Sequence, residues 1–354
     1  MDKTSLKILV TGVAGFIGFH MAHRALLEGV MVHGWDSIND YYDVQLKFDR
    51  LRKLGIEVDN PSDGDELRST RFKNFFFTKV DVSDYDLVTE LMFQHQFDVV
   101  IHFAAQAGVR YSLVNPRAYL KNNVDGFLGI LEGARGSKVK HLLFSSSSSV
   151  YGLNSELPYS ERDGVGHPKT IYAVTKRTNE LMAHSYAHLY SLPVTGLRFF
   201  TVYGPWGRPD MAPILFANAI LNQKPIDVFN YGNMVRDFTF ITDVIDAIWQ
   251  LIFCVPERAV NGENNVWDQS MSSAPYRILN IGNSNPIELK TFISEMEKVI
   301  GLTAKVNPVS FQSGDVQSTH ADVGKLNGLL KDRIRTSLPK GLAEFIAWHK
   351  VYYN

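Results

Sequence analysis

The chain has 354 residues, 45% of them hydrophobic and 21% charged, with a formal net charge of −1. That length can bury a large core and suggests one large α/β domain with a smaller partner. The charge gives no electrostatic case for nucleic acid or an anionic membrane, the single cysteine, Cys254, excludes an intramolecular disulfide, and no run approaches the ~18–20 apolar residues of a membrane span.

Met1-Asp2-Lys3-Thr4 leads directly into an apolar run, with no signal-peptide core, so a cytoplasmic protein is the default expectation. The run Ile8–Val10 suits a buried parallel strand and opens into Gly12, Gly15 and Gly18, spaced by three. Gly12 allows a tight turn, Gly15 lets backbone amides approach a pyrophosphate, and Gly18 lets the following helix pack on the strand. That helix, read over Ile17–Glu28 with Phe16 at its mouth, would turn its unpaired amides and positive dipole end to phosphates. A second strand, Val30–Trp35, ends at Asp36, where a carboxylate would accept from an adenosine ribose and repel a 2′-phosphate. The pattern therefore favours NAD over NADP. Residues 37–74 form a polar insertion with Tyr41 and Tyr42, then a charged helical stretch. A third strand, Phe75–Val80, ends at Asp81, placed either at the adenine edge or as a helix cap before Ser83. Further strands are expected at Val99–Phe103, His141–Phe144 and Val194–Leu197, with helices over Leu120–Ala134 and Tyr172–Tyr190. Alternation of this kind predicts a doubly wound parallel sheet with helices on both faces, and ligands at the carboxyl ends of its strands.

Five serines, Ser145 to Ser149, follow the fifth strand. A hydroxyl there can donate to and accept from a reacting sugar hydroxyl. Downstream, Tyr172 and Lys176 stand four apart, on one face of a helix. An ammonium beside a phenol favours the phenolate, a base able to take an alcohol proton. Tyr-x-x-x-Lys alone is a weak signal; the glycine fingerprint in the same chain makes it strong. His167 reads as a loop residue rather than a proton shuttle, and Cys254, in an apolar run, as a buried structural thiol.

Past residue 200 prolines punctuate short elements. The expected division is a Rossmann domain over residues 1–199, with 237–253 returning to it, and a smaller mixed α/β domain over 200–236 and 254–354.

These motifs resemble the extended short-chain dehydrogenase/reductase family across nearly the whole length. The resemblance rests on the glycine fingerprint, His102-Phe103-Ala104-Ala105, the serine run with Val150-Tyr151-Gly152, Tyr172-x-x-x-Lys176 and Arg236-Asp237-Phe238. Three further segments resemble the UDP-glucuronate 4-epimerases within it: Asp36 to Asp43, Ala105 to Ser112, and Leu197 to Met211. The resemblance implies a resident NAD, cycled without net consumption, and a transient 4-keto UDP-sugar. Cofactor contact then falls to Gly12, Gly15, Phe16, Ile17, Gly18, Asp36, Asp81, Val82, Ala104 and Ala105, together with Tyr172 and Lys176. Ser147 is the implied catalytic hydroxyl, Tyr172 the base and Lys176 its support. Ser147, Ser148, Ser149, Thr201 and Arg208 would meet the sugar, the last four its carboxylate. Most relatives acting on neutral sugars carry Asn where this chain has Thr201. Arg236 resembles the diphosphate-binding arginine, and Asp315 the acid that binds the uridine ribose. The resemblance also implies a homodimer built on helices near Pro116–Ala134 and Tyr172–Tyr190, and calls for no metal. Epimerisation of a UDP-hexose or UDP-N-acetylhexosamine, decarboxylation of UDP-glucuronate, and a non-catalytic NAD sensor stand as alternatives. Decarboxylases carry Glu where this chain has Ser148, dehydratases an Asp-Glu pair there, and sensors usually lose Tyr or Lys.

Overall fold

A computed structural model describes residues 5–57, 61–258, 268–312, 314–333 and 335–353. Met1 to Thr4, on which the reading of the N-terminus rested, lie outside them. Among the described residues, thirteen strands run in chain order: β1 Lys7–Thr11, β2 Met31–Asp36, β3 Glu66–Arg68, β4 Phe75–Lys79, β5 Val99–His102, β6 His141–Ser147, β7 Val194–Phe199, β8 Thr201–Tyr203, β9 Pro225–Phe229, β10 Val235–Phe240, β11 Tyr276–Ile281, β12 Pro286–Glu288 and β13 Lys305–Val309.

Eight of them form one sheet in the order β11-β7-β6-β5-β1-β2-β4-β3. Pairs β1–β2, β1–β5, β2–β4 and β5–β6 are parallel, and the short edge strand β3 runs antiparallel to β4. The chain moves outward one way from β1 through β2 and β4, then returns to β5, β6 and β7. The reversal lies between β1 and β5, where such sheets open a crevice at their carboxyl ends. Apolar residues on both faces explain the burial: Ile8, Leu9, Val10, Val99, Val100 and Ile101 are fully enclosed. The cluster around Leu9, Val100, Phe127, Leu142 and Val194 joins the sheet to its covering helices.

Two compact units result. The first comprises Met1–Ser155, Glu161–Arg198 and Ala247–Leu279; the second comprises Glu156–Ser160, Phe199–Asp246 and Asn280–Asn354. Residues returning to the first unit therefore start at Ala247, not 237, and continue to Leu279. Buried polar groups hold this stretch. His141 Nδ1 meets Ile252 O at 3.1 Å and its Nε2 meets Thr195 Oγ1 at 2.9 Å, while Arg277 Nε donates to Thr195 Oγ1 at 3.1 Å. Cys254 is half-buried rather than enclosed. The second unit carries the small sheets β12-β10-β8 and β13-β9.

Two elements depart from the expected pattern. The helix read over Leu120–Ala134 begins earlier, at Pro116, and is a π-helix over Leu120–Asp125 before resuming as α-helix over Gly126–Gly136. Wide turns of this kind concentrate where side chains must be re-aimed. The fifth parallel strand continues through Ser147, so three serines belong to the strand and only Ser148 and Ser149 enter the following 3₁₀ turn. Among the described residues, no helix is long and apolar enough to cross a membrane.

Candidate active site

The glycine turn follows directly from β1. Gly12 has φ +72°, and a Cβ there would stand 2.8 Å from Ala104 N. A Cβ on Gly18 would meet Gly12 O at 2.1 Å, so the Phe16–Leu27 helix can lie on the turn only as built. The amides of Gly12 and Val13 donate to Trp35 O at 2.7 and 3.2 Å, tying the turn to β2. Gly15 caps the helix without a side-chain hydrogen bond, and no acidic residue stands in the first turn. The opening amides of Phe16, Ile17 and Gly18 thus have no intrahelical acceptor and favour an anion.

Asp36, at the end of β2, is buried. Its Oδ2 accepts from Ala14 N at 3.0 Å and its Oδ1 from Ile38 N at 2.8 Å. A carboxylate has about four lone-pair positions, so acceptor capacity remains for a ribose diol. Asp81 Oδ1 accepts from Ser83 N at 3.0 Å and from Ser83 Oγ at 2.7 Å. Of the two readings, the helix cap goes to another residue: Asp84 caps Tyr85–His95 through Leu87 N. Val82 is buried beside Gly126. Ala104 and Ala105 follow β5, and Ala104 N donates to Thr11 Oγ1 at 3.1 Å.

Thr170 caps the Ile171–Tyr190 helix by accepting from Ala173 N at 3.3 Å, which fixes where Tyr172 enters. This helix packs on β6 and on the Ser148–Tyr151 turn. Lys176 is buried. Its Nζ donates to Ser145 O at 2.9 Å and to Ser145 Oγ at 3.0 Å, and lies 6.0 Å from the centroid of the Tyr172 ring. Burial pushes the Lys176 ammonium down to about 7. Ser147 is buried, and its Oγ accepts from Ser149 N at 3.2 Å and donates to Ser149 Oγ at 3.2 Å. The serines thus divide: Ser145 holds Lys176, Ser146 donates to Glu180 at 2.6 Å, and Ser147 closes the turn. His167 is an exposed loop residue whose carbonyl accepts from Leu153 N.

In the second unit, Thr201 opens β8 and pairs in register with Phe238 of β10. Arg208 forms a two-pronged pair with Asp210, Nε to Oδ1 at 3.0 Å and Nη2 to Oδ2 at 2.5 Å. Its charge is therefore already engaged, which the sequence did not indicate. Arg236 donates to Val235 O at 2.9 Å and Gln317 O at 3.0 Å, and Val235 bridges to Ser318. Arg236 thereby stands beside the segment containing Asp315.

Two organising residues, Asn123 and Glu180, escaped the sequence reading, and a third, Asp237, was named there only within a motif. Asn123, in the π-helix, accepts from Gln106 N at 2.7 Å and donates to Thr175 Oγ1 at 3.0 Å, while its carbonyl receives Asn179 at 2.6 Å. It ties the loop after β5 to the helix of Tyr172; the signal was an Asn-Asn pair inside an apolar helical pattern. Glu180 continues the Tyr172–Lys176 spacing by four more residues. Asp237 is wholly buried and accepts from Asn283 N, Ser284 N and Ala321 N at 2.8, 2.9 and 3.0 Å, fastening three segments of the second unit.

The sequence profile of the NAD dependent epimerase/dehydratase family matches residues 8–263. The chain belongs to that family. It is 45% identical over 351 residues to Protein CapI of Staphylococcus aureus, covering 99% of this chain and 100% of that one. It is 43% identical to a probable UDP-glucuronate 4-epimerase of Rhizobium meliloti, covering 99% of this chain and 98% of the relative. A crystal structure of UDP-glucuronic acid 4-epimerase from Bacillus cereus, with UDP-glucuronic acid and NAD, matches with a TM-score of 0.82. That match is 31% identical and covers 98% of this family member and 100% of the Bacillus cereus chain.

Proposed function

We propose that this chain epimerises UDP-glucuronate at C4 to UDP-galacturonate with a resident NAD. One observation carries the chemistry: Lys176, buried and held on Ser145, stands behind Tyr172 on the helix packed against the serine strand. The substrate class follows from the near-full-length relatives that act on UDP-glucuronate.

The residues present fit the cofactor. The Gly12 turn leaves no room for a side chain, and the helix behind it opens with unpaired amides. Gly12, Gly15, Phe16, Ile17 and Gly18 would hold the pyrophosphate and Asp36 the adenosine ribose. Asp81 and Val82 would border the adenine, with Ala104, Ala105, Tyr172 and Lys176 further along. Bound NAD would supply the reversible oxidation of C4, giving a transient 4-keto sugar. Tyr172 Oη takes the C4 hydroxyl proton and returns it to the epimeric hydroxyl. Ser147 Oγ holds that hydroxyl, and the ammonium of Lys176 favours the phenolate.

The first unit serves as the NAD-binding domain and the second as the nucleotide-sugar domain. Arg236 meets the diphosphate and Asp315 the uridine ribose. Ser148, Ser149, Thr201 and Arg208 are assigned to the uronate carboxylate by the family resemblance alone. A 4-keto uronate is a β-keto acid prone to lose carbon dioxide, so these donors matter beyond affinity. For Arg208 the role requires exchange of the Asp210 carboxylate for that of the sugar.

The active form in this reading is a cytoplasmic homodimer. Its support is the exposed Leu120, Leu128, Val174 and Leu181 on the two helical segments named for pairing. Light scattering of wild type and Leu181→Glu tests it, and an unaltered monomer for both would refute it.

The test of function is incubation of the protein with UDP-glucuronate and NAD, with products resolved by NMR. UDP-galacturonate is expected. UDP-xylose would mean decarboxylation, and unchanged substrate beside active epimerisation of a neutral UDP-hexose would move the assignment to that sugar.

A further inference from the structure

We propose that His33, Glu66 and His95 form a binding site for a divalent transition-metal ion of the zinc type, apart from the epimerisation machinery. His33 lies within β2, Glu66 begins β3, and His95 ends the Tyr85–His95 helix. Among the described residues, this is the single group of His, Cys, Asp and Glu side chains placed to share an ion.

The geometry is that of a coordination shell. His33 Nδ1 stands 3.2 Å from Glu66 Oε2, and His95 Nε2 stands 3.6 Å from the same oxygen. One ligand atom from each residue lies within 4.8 Å of the other two. A tetrahedral zinc ion with bonds of about 2.0–2.1 Å sets its ligand atoms about 3.4 Å apart. The two edges at Glu66 bracket that value. The imidazole–imidazole edge is the one left to adjust, and His95, at a helix end, is the less enclosed of the pair.

Simple ion pairing accounts poorly for the cluster. His33 is buried, and its Nδ1 approaches Glu66 without making a hydrogen bond to any group. An imidazole nitrogen facing a carboxylate oxygen across 3.2 Å without a hydrogen bond is placed as two ligands of one ion would be. Two imidazoles and a carboxylate suit zinc, cobalt or nickel rather than the all-oxygen preference of calcium or magnesium.

The surroundings support a rigid site. Phe76 stacks on His33 with centroids 4.9 Å apart, and Phe97 meets it edge-on at 5.3 Å. Lys7 Nζ, held on His95 O at 2.6 Å, opposes an ion here, and the Glu66 carboxylate offsets it. Glu66 is the more exposed ligand, so a fourth, water-supplied position falls on its side. An ion there would join edge strand β3 and the helix end to β2, and its binding energy would add to folding.

The test uses full-length protein without a histidine tag, stripped by chelator. Cobalt is titrated by its visible absorption and zinc by calorimetry, in wild type, Glu66→Gln and His95→Gln. One ion per chain is expected. Each variant should lose more than about 100-fold in affinity, beyond the 10–100-fold typical of outer-shell changes. Zinc should raise the thermal midpoint of wild type only, and epimerase activity should be unchanged in both variants. Both substituted positions are partly exposed, so folding is preserved where a change at His33 would threaten it. Absence of stoichiometric binding, or equal affinity in all three proteins, overturns the proposal.

Discussion

Replacing Glu180 by Gln should destabilise the protein by about 3–5 kcal/mol, the usual cost of breaking a buried ion pair from one side. Arg198 donates to Glu180 through Nε at 2.8 Å and Nη2 at 2.9 Å, and both side chains have no exposure. Ser146 adds a third bond at 2.6 Å and Arg177 a fourth at 2.9 Å. The variant keeps the shape and one acceptor but removes the negative charge. Arg198 would then be buried without a counter-charge, beside Tyr151, whose ring lies 4.9 Å from its carbon centre. Arg177 is partly exposed and solvent screens its share, so Arg198 dominates. In urea, with a slope of about 3 kcal/mol per molar, the midpoint should fall by roughly 1–1.7 M with the slope unchanged. Adding Arg198→Met should restore part of the loss, because the orphaned charge goes with it. Acid provides an independent check. Burial alone would raise the Glu180 carboxyl, but the charge and hydrogen bonds of Arg198, with Ser146 and Arg177, hold it below its ordinary value near 4.5. Its contribution is therefore present above about 4.5 and is lost as pH falls through the lowered value. Glu180→Gln should flatten that acid limb. A midpoint shift below about 0.3 M, or a double variant weaker than the sum of the two single ones, would refute the reasoning.

Tyr172→Phe should reduce epimerisation by more than the ~10²–10⁴-fold typical of acid–base groups while calorimetry finds NAD binding nearly intact; near-full activity would discard the phenol as base. Asp36→Ala should weaken NAD and relax discrimination against NADP, since the carboxylate is the feature opposed to a 2′-phosphate; unchanged selectivity in titrations with both cofactors would count against it. Lys176 carries a folded value near 7 against an ordinary 10.5, so below 7 the folded state bears a buried charge, and stability of the NAD-stripped protein should rise with pH between those values. Lys176→Met should abolish that rise in chemical denaturation across the window. Thr201→Ala and Arg208→Ala should each weaken UDP-glucuronate about tenfold to a hundredfold, from roughly 1.5–3 kcal/mol per hydrogen bond to a charged group, and weaken UDP-glucose less. Both should also release some UDP-pentose, and equal losses for the two nucleotides with no pentose would remove these residues from carboxylate recognition.

Features set by local rules were legible in the sequence. Strands buried on both faces read as continuous apolar runs, and the expected Ile8–Val10 and Val194–Leu197 fall inside β1 and β7. The glycine spacing is legible because each glycine answers a steric demand of its own turn. Less legible was whatever one segment imposes on another. The serine run reads as five equal hydroxyls, yet Lys176 claims Ser145, Glu180 claims Ser146, and the strand extends to Ser147 because these partners sit on a helix encoded later. The π-helix at Leu120–Asp125 has no local signature apart from Asn122-Asn123; it exists where Asn123 meets both Gln106 and Thr175.

The same distinction explains the second unit. Arg236-Asp237-Phe238 is visible as a motif in the sequence, where the guanidinium of Arg236 points to a phosphate. The buried partner is Asp237, whose carboxylate accepts three backbone amides from residues 283, 284 and 321. A carboxylate with three such donors is an anchor, costly to remove because each amide would be left buried and unmet. Arg236 occupies the next position on the same short strand, so its side chain emerges on the opposite face. The alternation gives the motif its division of labour: one residue fastens the segment containing Asp315 to β10, and the neighbour presents a cation beside it. A spacing rule records both residues and cannot say which is structural, because that is decided by loops some fifty and eighty residues away.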